Sequence, residues 1–198
     1  MMKKYIYLMR HGETLFNRRR KIQGWCDAPL TDFGKYQASC ARDYFKHQGI
    51  TFKKAYSSTS ERACDTLEIV TEGALSYQRL KGLKEWNFGT FEGESEDLNP
   101  PLPYKDFFVT YGGESQDQIV ARMVATVGQL VSESEEDTIL IVSHGGAIAN
   151  FARAYQEHWE TELPKGLGNC AILKFRYEDD IFYLEEVIRH DFSDWKEN

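Results

Sequence analysis

Apolar positions along this chain follow two periods. Tyr5-Ile6-Tyr7-Leu8-Met9 is a short unbroken run, the pattern of a buried strand, and predicts one over Lys3–Met9. Ile139-Leu140-Ile141-Val142 repeats the pattern and predicts a strand over Thr138–Val142. Shorter candidates lie at Lys54–Ser57, Tyr77–Leu83, Ala171–Phe175 and Ile181–Val187. Elsewhere the spacing is helical. Ser115 and Gln118 form a capping-box pair that opens a helix to about Ser132, with Ile119, Met123, Val127, Leu130 and Val131 on one face. Thr31 serves as the N-cap of a helix over about Asp32–His47, stopped by Gly49. Ser58-Thr59-Ser60-Glu61 has capping-box spacing and predicts a helix to about Thr71, with Gly73 beyond it. A last helix is predicted over Gly145–Tyr155. From Glu85 to Tyr111 the chain reads as irregular, because Asn99-Pro100-Pro101 and Pro103 break any long element. A segment of that length is usually a functional lid or carries short helices. Strands alternating with helices, without repeat or linker, predict an α/β fold.

The 198 residues suit one domain. With 41% hydrophobic and 28% charged residues the composition is globular rather than disordered. A net charge of −7 argues against nucleic-acid or anionic-membrane binding by the whole surface and leaves room for a local basic pocket. No run reaches the ~20 apolar residues of a membrane span, and the amino-terminal run is too short for a signal-peptide core. Cys26, Cys40, Cys64 and Cys170 contain no C-x-x-C pair and read as reduced thiols of a cytoplasmic protein. The run Arg18-Arg19-Arg20-Lys21 is either a solvated loop or a rim that attracts anionic substrates.

The candidate chemistry lies at two strand ends. The first buried run leads into Arg10-His11-Gly12-Glu13, and the second into Ser143-His144-Gly145-Gly146. Carboxyl ends of strands form the ligand crevice of open α/β sheets, so the two histidines are placed to share one pocket. A metal site is disfavoured, since no H-E-x-x-H or H-x-x-E-H motif is present and Arg10 is a poor neighbour for a cation. An esterase needs a G-x-S-x-G elbow and a P-loop enzyme needs G-x-x-x-x-G-K-[ST]; both are missing. An imidazole flanked by guanidinium suits attack on a phosphoryl group, with the guanidinium fork holding its oxygens.

Arg10-His11-Gly12-Glu13-Thr14 with Asn17 resembles the signature of the histidine phosphatase superfamily, also called the phosphoglycerate mutase-like family. Further blocks follow in order: Gln23-Gly24-Trp25-Cys26-Asp27-Ala28-Pro29-Leu30-Thr31 with Gly34, Ser57-Ser58 with Arg62-Ala63 and Thr66, and Leu83-Lys84-Glu85-Trp86-Asn87-Phe88-Gly89 with Glu92-Gly93. Gly113-Glu114-Ser115, Ser143-His144-Gly145-Gly146 and Asn169-Cys170-Ala171-Ile172 complete a match from about Lys4 to Phe175.

The resemblance implies a single-domain α/β/α sandwich over residues 1–198, with a mostly parallel central sheet and a lid insertion at about 92–111. It implies a phosphatase acting on a small phosphorylated metabolite, without nucleic-acid or membrane partners and without metal or cofactor. His11 is then the nucleophile, its tautomer set by a backbone carbonyl near Gly12. Arg10, Asn17, Arg62 and His144 hold the phosphoryl group, and Gln23 and Gly24 contact substrate. Glu85 is the general acid, expected to sit against an apolar wall of Trp86 and Phe88, with Glu13 and Glu114 as rivals. The alternatives are a cofactor-dependent phosphoglycerate mutase and a non-catalytic phospho-ligand binder. Mutases of the family resemble each other in a Trp before the motif Asn and an Asn after the final His-Gly; here Phe16 and Gly146 stand in those places. The retained His11 and Glu85 argue against the binder. Sugar phosphates, nucleotide-like phosphates and the phosphate ester of a cobalamin precursor are all candidate substrates. Tyr104, Phe107, Phe108 and Tyr111 read either as an aromatic wall for a partly apolar substrate or as packing of the lid onto the body.

Overall fold

The two unbroken apolar runs lie side by side in a computed structural model, which describes residues 3–197. Strands β1 (Lys4–Arg10), β2 (Lys54–Ser58), β3 (Gln78–Leu80), β4 (Thr138–Ser143), β5 (Ile172–Glu178) and β6 (Ile181–Ile188) make one sheet in the order β3-β2-β4-β1-β5-β6. The first four in that order are mutually parallel. Strand β5 runs antiparallel to β1, and β6 antiparallel to β5. Asp179 and Asp180, both with positive φ (51° and 62°), turn β5 directly into β6, the backbone that a two-residue hairpin requires.

Helices cover both faces, which is why the central runs are apolar without alternation. Ile6 and Leu8 of β1 pack with Ile119, Met123 and Val127 of α4 (Gln116–Glu133) and Phe151 of α5 (Gly145–Ala154). Tyr7 and Met9 face the other way, onto Ala38, Ala41 and Phe45 of α2 (Asp32–His47) and Leu67 of α3 (Glu61–Thr71). The α/β architecture with a mostly parallel sheet between helices is therefore as expected. Among the described residues no helix is long and apolar enough to cross a membrane.

Three local expectations need correction. The Ser58–Glu61 capping box does not form. Ser58 stays in β2 and its hydroxyl pairs with His144, while Ser60 is the N-cap residue and its side chain makes no capping bond. The helix start is capped instead by Asp27, whose Oδ2 accepts from the Glu61 amide at 2.5 Å. The strand expected over Tyr77–Leu83 shrinks to Gln78–Leu80, an exposed edge, and Lys81–Leu83 turns as a 3₁₀ segment that buries Leu83. The stretch after His11, where the pattern predicts no helix, contains a four-residue one, α1 (Leu15–Arg18), with a Thr14/Asn17 capping box. The Thr31 and Ser115/Gln118 caps form as predicted. Residues 85–111 hold only short 3₁₀ turns.

Helix α2 fixes the loop after β1 by direct backbone contact. A Cβ on Gly34 would run into the Glu13 carbonyl oxygen, and one on Gly12 into the Gly34 carbonyl oxygen. Helix propensity alone would make Gly34→Ala stabilising by about 1 kcal/mol. Here overpacking wins, and Gly34→Ala is expected to destabilise by ~1–3 kcal/mol, read as a lower urea midpoint at unchanged m-value. An equal or higher midpoint contradicts the contact.

Candidate active site

Arg10 of β1 is in register with Ser143 of β4, so the residues after each strand emerge together. The His11 and His144 rings lie 5.2 Å apart between centroids, inclined at 64°. Strand β2, on the other side of β4, leads into α3 and delivers Arg62 to the same point.

His11 Nδ1 lies 2.7 Å from the Gly12 carbonyl oxygen, which can only accept. The ring proton is therefore on Nδ1 and the lone pair on Nε2, where Arg62 Nε donates at 3.3 Å. The backbone partner expected near Gly12 is thus present. Burial above all, then the Arg62 and Arg10 charges, holds the His11 pKa well below 6.5. His144 follows the same logic. Its Nδ1 accepts from Arg62 Nη2 at 2.9 Å, so its one N–H is on Nε2 and donates to Ser58 Oγ at 2.8 Å. Burial first, then Arg62, keeps it neutral too. His144 thus directs its proton at Ser58 and orients Arg62, where the sequence suggested a donor to phosphate.

Arg62 is completely buried and spends all five N–H groups. Beyond the two histidines, Nη1 donates to Cys26 O at 2.9 Å and Asp27 Oδ1 at 2.8 Å, and Nη2 to Gly24 O at 2.8 Å. Gly24 therefore acts through its carbonyl on Arg62. The turn carrying these acceptors is tied down by Glu92, whose carboxylate accepts from the amides of Gly24, Trp25, Cys26 and Phe88 at 2.8–3.1 Å. Burial, then Glu92, pushes the Cys26 thiol up to about 12, so this neighbour of Arg62 is no thiolate at neutral pH. Asp27 and Glu92 stand inside family-like blocks, yet nothing in their spacing showed that they organise Arg62.

Glu85 sits on the amino end of α5. Its oxygens accept from the amides of Trp86 (2.8 Å), Gly146 (2.8 Å) and Ala147 (2.7 Å), rather than meeting only an apolar wall. A Cβ on Gly146 would come within 2.7 Å of Glu85 Oε1. Arg122 fixes the backbone here, donating to the carbonyls of Gly82, Lys84 and Glu85 while forking onto Glu114. Glu114 is thereby committed to Arg122, and Glu13 to Thr31 and Arg18.

A cavity of about 550 Å³ opens beside this cluster. Arg10, Asn17, Gln23 and Glu85 line it; His11, Gly24, Arg62 and His144 do not. Two buried donors in its wall, Arg10 Nε and Gln23 Nε2, have no acceptor among the described residues. Asn17 Oδ1 accepts from the Thr14 amide and from Asn169 Nδ2, and the residue lines the cavity. Of the basic run only Lys21 lines the cavity, whereas Arg20 pairs with Asp97 at 2.7 Å. Phe108 is buried among Trp86, Phe88, Phe91, Tyr104 and Phe107, so the aromatic set chiefly packs the 85–111 segment; Tyr104 alone of the four predicted rings reaches the cavity. Among the described residues no three His, Cys, Asp or Glu side chains are grouped to hold a metal ion.

Known proteins resemble this chain in sequence and fold. The histidine phosphatase superfamily (branch 1) matches residues 6–189. Phosphoglycerate mutase-like protein 4 of Arabidopsis thaliana is 33% identical, over 92% of this chain and 87% of that protein. The crystal structure of a phosphoglycerate mutase from Bacillus anthracis superposes with a TM-score of 0.82 at 27% identity, covering 94% of this chain and 92% of that one. A phosphoserine phosphatase from Entamoeba histolytica, solved with 3-phosphoglyceric acid, gives 0.75 at 29%, covering 96% and 98%.

The two buried imidazoles make stability depend on pH with a definite sign. Both are held below 6.5 in the folded chain and return to about 6.5 on unfolding. Above pH 6.5 neither state binds these protons and stability is full. As pH falls below 6.5 the unfolded chain takes up protons that the folded chain refuses. Stability then drops by up to about 1.4 kcal/mol per pH unit for each histidine, until the folded pKa values are reached. Urea titrations at pH 7.5, 6.5 and 5.5 read the slope, which His144→Gln should flatten.

Proposed function

The chain belongs to the histidine phosphatase superfamily, and on that premise we propose that it hydrolyses a small phosphomonoester through a covalent phosphohistidine on His11, without a metal ion. The observation that carries this reading is a lone pair beside unfilled donors. His11 Nε2 receives one long bond from Arg62, while Arg10 Nε and Gln23 Nε2 lie buried in the cavity wall with no acceptor. An unmade buried hydrogen bond costs ~1–3 kcal/mol, and the oxygens of a phosphoryl group supply the missing acceptors.

In the first step Nε2 forms a bond to phosphorus and the bond to the alcohol oxygen breaks, its electron pair staying on oxygen. Arg62 Nε–H, released from Nε2, turns to a phosphoryl oxygen, joined by Arg10 and the Asn17 amide. Fixed donors there stabilise charge as it spreads over the equatorial oxygens. The departing oxygen takes a proton from Glu85, the carboxyl beside Gly146 in the cavity wall. Water then attacks phosphorus, Glu85 takes its proton back, and the N–P bond breaks. His144 holds Arg62 throughout.

Phe16 and Gly146 favour water over return of the phosphoryl group to the alcohol, since the mutases carry Trp and Asn there. An Asn at 146 would also push on the Glu85 carboxylate. The segment at about 92–111 acts as a lid within a single domain. Four cysteines without disulfides suit a cytoplasmic location.

Acid-quenched enzyme given labelled substrate should carry acid-labile, base-stable phosphate. His11→Ala should remove the label and turnover while the urea midpoint stays within a folded range. Chelators should leave the wild-type rate unchanged; loss on chelation, restored by Mg²⁺ or Zn²⁺, contradicts the mechanism.

Glu85→Gln should lower kcat/KM for an alkyl phosphate by ~10²–10⁴-fold and for p-nitrophenyl phosphate far less, because nitrophenolate needs little protonation. Equal losses on both esters would show that Glu85 is not the acid.

A further inference from the structure

Glu85 lies outside every strand and helix, yet its carboxyl is held at one place. Its oxygens reach three amides, two of them in the first turn of α5. That aim depends on the backbone from which the side chain leaves. The Glu85 carbonyl oxygen accepts twice, from Trp25 Nε1 at 3.0 Å and from Arg122 Nη2 at 3.1 Å, so both of its lone pairs are used.

Arg122 does more than touch this carbonyl. Its Nη1 donates to Gly82 O at 3.0 Å and Lys84 O at 2.8 Å. Its Nε donates to Glu114 Oε1 at 2.9 Å, and Nη2 also to Glu114 Oε2 at 2.8 Å. With the bond to Glu85, all five N–H groups are spent. Glu114 continues the grip on the far side of Glu85. Its Oε2 accepts from the Asn87 amide at 2.9 Å and its carbonyl from Trp86 Nε1 at 2.7 Å. Thr126, one turn beyond Arg122 on α4, closes it, since a Cβ on Gly82 would come within 2.1 Å of Thr126 Oγ1. Neither Arg122 nor Glu114 lines the cavity, so any effect of theirs on the reaction runs through Glu85.

We propose that Arg122, locked on Glu114, is the positioning residue of the general acid: it sets the backbone at 82–87 so that the Glu85 carboxyl meets the amino end of α5 beside the cavity. This rests on the phosphatase reading and deepens it. A lysine cannot replace it, because three donors on one nitrogen do not reach five acceptors arranged around a planar fork. A misplacement of about 1 Å at a catalytic group costs ~10²-fold in rate.

Arg122→Lys and Arg122→Met test the assignment on propyl phosphate and p-nitrophenyl phosphate. For propyl phosphate kcat/KM should fall ~10–100-fold, through kcat rather than KM, and for p-nitrophenyl phosphate far less, since its leaving group needs little protonation. In a Glu85→Gln background no acid is left to place, so the same substitutions should cost propyl phosphate less than about two-fold more. A merely structural role slows both esters alike or adds its loss to that of Glu85→Gln; either result overturns the proposal. Arg122→Met leaves Glu114 without its cation and lowers stability; should it fail to fold, Arg122→Lys, which keeps the charge, carries the test. If wild type hydrolyses neither ester, the phosphatase reading fails, and the seating of Glu85 is still read by hydrogen exchange. The Glu85 carboxylate covers the amides of Gly146 and Ala147. Arg122→Lys should speed their exchange ~10-fold or more while the amides of β1 and β4 keep their protection, and unchanged exchange at 146 and 147 overturns the assignment.

Discussion

A guanidinium buried without exposure dictates how this site is put together. Removing a charge from water costs several kcal/mol unless its hydrogen bonds are all made. Arg62 satisfies that condition with acceptors from three separate segments: the turn at 24–27, the end of β1 and the end of β4. The same requirement sets the histidines. Each offers Arg62 a lone pair, so each must be neutral, and each has a fixed tautomer because its other nitrogen gives its proton to an oxygen. One side chain therefore couples the packing of β1, β2 and β4 to the protonation state that chemistry needs.

Carboxylates do for the irregular part of the chain what ladders do for the sheet. Glu92 gathers four amides, Glu85 three, and Glu114 one amide together with Arg122. These groups lack the i→i−4 or cross-strand partners of regular structure and must be satisfied some other way. The stretch from Glu85 to Glu92 is fixed beside the cavity by side chains, with little help from secondary structure.

What was legible in the sequence was whatever depends on local pattern. The runs at Tyr5–Met9 and Ile139–Val142, the doubled His-Gly at their ends and the Ser115/Gln118 cap all appear where expected. What failed depended on distant partners. Ser58 could not cap α3 because a histidine 86 positions away takes its hydroxyl. His144 gives its one N–H to Ser58 and its lone pair to Arg62, partners that no local pattern shows. Asp27 and Glu92 bind backbone groups, which carry no signature in a sequence, so their parts in seating Arg62 emerge only from the folded chain.

The Glu92 carboxylate has a consequence for motion. Amides in loops ordinarily exchange their hydrogens with solvent rapidly, since they open at little cost. Those of Gly24, Trp25, Cys26 and Phe88 all end on one carboxylate and release only when it lets go of them together. In deuterium exchange this turn should therefore behave like a fragment of core, slow and cooperative, and lose that protection as a single unit in Glu92→Gln.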